Sequence, residues 1–332
     1  MIALLRRWRP DTYMLALMGT VALAAVIPAR GVGSAALDVV VHAAIATLFF
    51  IYGARITPQA IRAGITHWRL QLLVLLSTFV VFPVIGVGMA MLTRGRLDDG
   101  LVTGLLFLSL LPSTVQSSIA FTSMARGNVS AALCCASLSN LLGVVITPLL
   151  AAAFLGAAGG GTSLAATVDI ALQILLPFLV GQTARPLIAG WLGRHRTLTM
   201  LVDRASILLI VYAAFSAGVV AGLWSKVTPQ SLGVVVALDL LILALVLAFT
   251  TVASRLLRFS PEDEIATVFC GSKKSLASGL PMANIIFPAS TAGLIVIPLM
   301  LFHQMQLMVC AVLARRYGKR PATIADTGTT QT

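Results

Sequence analysis

Residues 270–288 read Cys-Gly-Ser-Lys-Lys-Ser-Leu-Ala-Ser-Gly-Leu-Pro-Met-Ala-Asn-Ile-Ile-Phe-Pro, which sets Lys273 and Lys274 side by side in an otherwise apolar run. The run begins at Ile265. On a helix, Lys273 would lie about 12 Å along the axis, near the centre of a hydrocarbon layer about 30 Å thick. A lysine at that depth costs about 3 kcal/mol on insertion scales and cannot easily snorkel to water, so two in succession imply a wet or protein-lined interior with a task. Gly271, Gly279 and Pro281 bracket the pair. A spanning helix interrupted by such residues leaves backbone groups and half-helix ends free to meet a solute.

The rest of the chain supplies the membrane this reading requires. Of 332 residues, 58% are hydrophobic and 10% charged, and the mean hydropathy is +0.99. A soluble fold would carry about 25% charged residues, so the composition specifies a polytopic helical membrane protein. The formal charge of +12 comes largely from arginines scattered singly between apolar runs. That pattern argues against a nucleic-acid-binding face. Cys134, Cys135, Cys270 and Cys310 all fall in apolar segments without CxxC spacing and read as small buried hydrophobes.

Windows of about 20 apolar residues predict ten spans, at 12–29, 36–54, 70–92, 101–124, 129–154, 166–188, 205–223, 231–253, 265–287 and 291–314. The first is read as an uncleaved span rather than a signal peptide, and the Thr-rich tail at 319–332 as disordered. With the N-terminus inside, the inner segments hold 17 basic residues, among them Arg55, Arg69, Arg126, Arg255 and Arg315, against Arg30, Arg94, Arg96 and Lys226 outside. Both termini are therefore expected in the cytoplasm and the protein in the inner membrane.

Ten spans divide into two sets of five, and an odd-numbered unit repeated once must be inverted in the membrane. The boundary is expected near 158/159, giving repeats at 1–158 and 159–318. Span 4 carries its own interruption, Leu-Leu-Pro-Ser-Thr-Val-Gln-Ser-Ser at 110–118, about 160 residues before the lysine pair. The two broken spans thus occupy equivalent places and are expected to bind a solute together near the midplane.

The candidate site residues follow. Ser113, Thr114, Gln116, Ser117 and Ser118 offer groups that both donate and accept hydrogen bonds. Taken one by one, such serines are commonly glue between membrane helices; clustered beside Pro112, they can serve a ligand. Lys273 and Lys274, flanked by Ser275 and Asn284, can act as fixed charge for an anion, as a built-in cation or as a proton carrier; the plain alternative is an internal ion pair, with Asp239 in span 8 as partner. Asn140 in span 5 and Gln306 in span 10 suit the wall of a cavity. His303 shares a helix face with Gln306 and is as well explained by hydrogen bonding as by transport. There is no HExxH, GxSxG or P-loop, so neither an enzyme nor a cofactor is implied.

Three stretches carry a resemblance: 271–284 in span 9, Phe302-His303-Gln304-Met305-Gln306-Leu307-Met308 in span 10, and span 4 running into Met124-Ala125-Arg126-Gly127-Asn128. They resemble the bile acid:sodium symporter superfamily, in its bacterial symporter branch related to the seventh member of solute-carrier family 10. The resemblance implies an all-α protein of ten transmembrane helices in an inverted five-plus-five repeat, with a panel domain and a core domain in which helices 4 and 9 are broken and cross. In sodium-coupled members an acidic residue and a glutamine flank the break in span 9, where this chain has Phe269 and Lys273. Ala132 and Ala136 stand where hydroxyl ligands occur. A lysine cannot ligate sodium but can replace its charge. The expectation is a secondary transporter of a small organic anion, without sodium coupling of the usual kind. A cation or proton exchanger of the same fold and a non-transporting membrane regulator are the alternatives.

Overall fold

The computed structural model describes residues 12–55, 67–156, 164–222 and 227–320, all-helical with connecting turns. The helices are α1 (Thr12–Val26), α2 (Val32–Arg55), α3 (Trp68–Thr93), α4 (Asp99–Leu110), α5 (Gln116–Met124), α6 (Val129–Gly156), α7 (Leu164–Arg194), α8 (Arg196–Val220), α9 (Pro229–Leu256), α10 (Pro261–Gly271), α11 (Leu276–Ile286) and α12 (Ala289–Gly318). Seven of them, α2, α3, α6, α7, α8, α9 and α12, are long and apolar enough to cross a membrane. Each expected span falls on one helix or, at 101–124 and 265–287, on a pair of short ones. The expected repeat boundary, Lys226 and the tail from 321 onward lie outside the described residues.

Local signals set the helix ends. Ser260 caps α10 by accepting from Asp263 N, Pro261 opens the first turn, and Glu262, Asp263 and Glu264 place negative charge on the positive end of the dipole. Thr228 and Ser231 form a reciprocal cap on α9. At the end of α5 the chain turns through Arg126 at φ 57°, while Gly127 N reaches back to Thr122 O. Asn128 then bonds both the Glu262 carbonyl and the Asp263 carboxylate, which ties this turn to the start of α10.

The packing is inverted relative to a soluble protein. Leu72, Leu76, Val80, Val84 and Met91 on α3, and Leu240, Leu241, Leu245 and Val252 on α9, are exposed. Ser109, Ser113, Thr122, Asp239, Lys273, Lys274 and Gln306 are wholly buried. An apolar exterior around a polar interior is what a lipid solvent selects, since lipid cannot satisfy the polar groups. All four cysteines are buried and free, as read from their apolar surroundings.

The tightest helix pair is α2 with α7. A Cβ on Gly53 would collide with the Phe178 carbonyl, and one on Gly181 with the Phe50 carbonyl, so each helix needs a bare backbone where the other crosses. Gly181→Val is expected to destabilise the detergent-purified protein by about 3 kcal/mol. Gly19→Ala, which meets nothing within 4 Å, should leave the melting temperature unchanged.

Candidate functional site

The interruption between α4 and α5 covers Leu111–Val115, and that between α10 and α11 covers Ser272–Ser275. The two meet, with Ser275 N donating to Pro112 O at 2.9 Å. A break in a membrane helix frees the carbonyls of the last turn, and in a dry interior each needs a donor. Here the donors come mostly from the opposite break. Ser113 Oγ donates to Cys270 O at 2.5 Å and Ser118 Oγ to Phe269 O at 3.0 Å. Neighbouring helices complete the set: Ser77 Oγ bonds Gly271 O at 2.8 Å, Thr147 Oγ1 bonds Leu110 O at 2.9 Å, and Asn140 Nδ2 bonds Ser113 O at 2.6 Å.

Lys274 contributes most. Its Nζ donates to Thr78 O at 2.8 Å, Ser109 O at 2.7 Å and Leu111 O at 2.6 Å, spending all three ammonium protons on carbonyl oxygens. Two of these acceptors lie at the negative end of the α4 dipole. The third becomes available because α3 takes a π-turn at Ser77–Val81. The ring of Phe82 closes the fourth side, with its centroid 4.1 Å from Nζ. The Gln306 side-chain amide pairs with the Lys274 backbone in both directions, accepting from N and donating to O at 2.9 Å each. Its Nε2 also donates to His303 Nδ1 at 2.8 Å, which puts the imidazole proton on Nε2.

Lys273 points elsewhere. Its Nζ lies 4.5 Å from the centroid of Phe121 and 5.6 Å from that of Phe269, with one long hydrogen bond, 3.4 Å, to Ser117 Oγ. It is as buried as Lys274, but it is held mainly by aromatic faces. The neighbouring N-terminus of α5 has no side-chain cap. An ammonium with spare donors therefore sits beside the positive end of a half-helix, an arrangement suited to an anion.

The alternative reading, an ion pair of the lysines with Asp239, does not hold among the described residues. Both its carboxylate oxygens lack a hydrogen-bond partner among the described residues, where the ion pairs are Arg55–Asp203 and Arg255–Glu264. The sequence gives a residue's depth in the membrane but not its direction around the helix. Of the other candidates, Ser113, Thr114, Ser117, Ser118, Asn140, Ser275, His303 and Gln306 gather at the breaks. Gln116 is exposed, and Asn284 Nδ2 bonds back to Leu280 O of its own helix.

Sequence reasoning missed Ser77, Thr78 and Thr147, which act through helix geometry that composition does not mark. His42, Gln173, Ile45, Ala46 and Ile285 line an open pocket of about 360 Å³ between α2, α7 and α11. Ile285 is about 16 Å along α11 from Lys274, so this cavity is separate from the breaks.

The two lysines should respond oppositely to removal of their charge. Lys274→Met orphans buried acceptors that cost about 1–3 kcal/mol each, so a loss of about 3 kcal/mol or more is expected in thermal unfolding. Lys273→Met, which leaves an apolar side chain among aromatic rings, should stay within about 1 kcal/mol of wild type.

Residues 11–319 match the SBF-like CPA transporter family. An uncharacterized protein of Pseudomonas aeruginosa is 53% identical over 95% of both chains. YfeH, a candidate symporter of Escherichia coli, is 50% identical over 93% of both. The mouse protein named sodium/bile acid cotransporter 7 is 28% identical, again over 93% of each chain.

Proposed function

Since the chain belongs to the SBF-like CPA transporter family, we propose that it is a secondary transporter of a small organic anion, working by alternating access with an internal ammonium in place of a coupling sodium. The observation that carries this reading is the division of labour between the two lysines. Lys274 occupies a nest of carbonyl oxygens at a pair of helix breaks, the environment a desolvated monovalent cation would select. Lys273 lies beside an uncapped half-helix with little to bind. Of the positions where the resemblance puts sodium ligands, Lys273 is itself a cation and the other three are apolar: Ala132 and Ala136 pack with Cys135, Ala266 and Cys270, and Phe269 lies in a cluster with Ile265 and Cys310. A cation exchanger would need an acid at the breaks, and the described residues at 109–118 and 269–278 include none.

The same geometry supports the finer architecture. Donors that follow the first break satisfy carbonyls of α10, while Lys274 and Ser275 satisfy carbonyls of α4 and its break. That reciprocity is what a five-plus-five repeat about an in-plane axis would produce. It pairs α4 and α5 as one broken span and α10 and α11 as the other, giving ten spans with both termini cytoplasmic in the inner membrane. In this arrangement α1, α2, α7 and α8 form the panel and the remaining helices the core, whose movement exposes Lys273 to each side in turn. Ser117 and Thr114 beside the ammonium would share the solute's acceptor groups, and His303 would be a positioning residue acting through Gln306.

Proteoliposomes on a solid support, screened with organic anions, test the proposal through solute-evoked current. We expect currents that do not need sodium and fall by about tenfold or more in Lys273→Met, the loss of one charge-assisted hydrogen bond to the solute. A current that needs sodium and survives in Lys273→Met would overturn the reading of the lysines.

A further inference from the structure

The start of α1, the finish of α2, the last turns of α7 and the first of α8 meet at one end of the fold, where α2 packs against both α7 and α8, and α8 against α1. Each of these three contacts carries one arginine. Arg55 on α2 bonds Asp203 on α8 at 2.6 Å. The Arg204 guanidinium of α8 lies 5.2 Å from the centroid of the Tyr13 ring on α1. Arg185 on α7 is one turn beyond Gly181, on the face that meets the Phe50 carbonyl of α2.

The three arginines are not equally provided for. Asp203 faces Arg55, and a ring face shields Arg204. Arg185 has neither: its Nε is buried without a hydrogen-bond partner, and its other N–H groups make no hydrogen bond or ion pair among the described residues. Gln182, three residues earlier on the same face, does not receive them, since its Oε1 is buried and unbonded too. The Nε is shut into the contact of α2 with α7 while the residue as a whole is only half-buried. The Nη edge is what remains to be occupied. Acid is scarce here, since residues 50–55 and 181–204 hold Arg55, Arg185, Arg194, Arg196 and Arg204 against Asp203 alone.

Apolar residues share this surface. Leu187 is 87% exposed, Leu201 62% and Trp191 44%, and the Trp191 ring stacks on His195 with centroids 4.6 Å apart. An exposed indole and leucines among arginines mark the level of lipid headgroups, where acyl chains border one side of any bound anion. A guanidinium edge at that level takes a phosphodiester through two parallel hydrogen bonds. We propose that the mouth of the α2–α7 contact around Arg185 binds the phosphate of an anionic phospholipid, and that Arg194, Arg196 and Arg204 favour a lipid of net negative charge over a zwitterionic one. The site is separate from the lysine pair. It does not depend on the transport reading, and the orientation proposed above decides only which leaflet supplies the lipid.

Thermal unfolding of the purified protein in dodecyl maltoside micelles, with added phosphatidylglycerol or phosphatidylcholine, tests it. We expect phosphatidylglycerol to raise the melting temperature by about 5 °C, the shift for a ligand about 100-fold above its dissociation constant, and phosphatidylcholine to leave it unchanged. The shift should vanish in Arg185→Gln and persist in Arg94→Gln, which removes an exposed arginine beyond the far end of α3. Arg185→Lys, which keeps the charge without the fork, serves if the glutamine variant does not fold, and should keep about half of the shift or less. An equal shift with phosphatidylcholine, or a phosphatidylglycerol shift unaltered by substitution of Arg185, overturns the proposal. So does a shift lost equally in Arg94→Gln, which means diffuse attraction to charge. Inorganic phosphate at the same concentration separates the two sources of the anion: no shift supports a lipid headgroup, and an equal shift overturns the lipid in favour of a free ion.

Discussion

Everything in this structure depends on carbonyl oxygens released where two helices stop inside an apolar medium. Lipid offers them nothing, and water at that depth would need a cavity. The fold brings the breaks together so that each supplies donors to the other, and adds one ammonium where the demand is highest. Lys274 is therefore part of the folded state much as a bound ion would be. Because the charge is covalently attached, it cannot be left behind on one side of the membrane.

This constraint explains why so many hydroxyls gather without forming an open polar chamber. Ser77, Ser113, Ser118 and Thr147 each spend their proton on a backbone oxygen. What remains for a ligand is Lys273, with Thr114 and Ser117 beside it. The aromatic rings around that ammonium, Phe121 and Phe269, with Tyr317 edge-on to Phe269, keep it dry while leaving its charge weakly neutralised.

Much of this could be read from the residues alone, for identifiable reasons. Polar and helix-breaking residues inside apolar runs are rare enough that Pro112 and the lysine pair located both interruptions, and span ends fell where Pro, Gly and Arg punctuate. Roles within the site could not be read in the same way. Adjacent lysines are equivalent as letters, and their fates diverge because Lys274 turns to acceptors on α3 and α4 that are backbone atoms, which have no residue type. Asp239 was the candidate counter-ion because it stands mid-span in span 8, yet it takes no part in the lysines' bonding. Hydroxyl groups could be counted, but not the carbonyls that would claim them.

The π-turn at Ser77–Val81 shows how little sequence separates this arrangement from another. Such a turn is an α-helix with one residue too many, and it persists here where Thr78 O and the Phe82 ring flank the ammonium. A single-codon deletion there would restore regular α-helix and, because the π-turn absorbs its extra residue within one widened turn, leave everything beyond it on nearly the same face. The carbonyl now given to Lys274 would be drawn back into the helix's own hydrogen-bond ladder, while the span stayed apolar and long enough to insert. A lineage could thus lose or regain this nest by indel rather than by substitution, with nothing in its hydropathy profile to record the event.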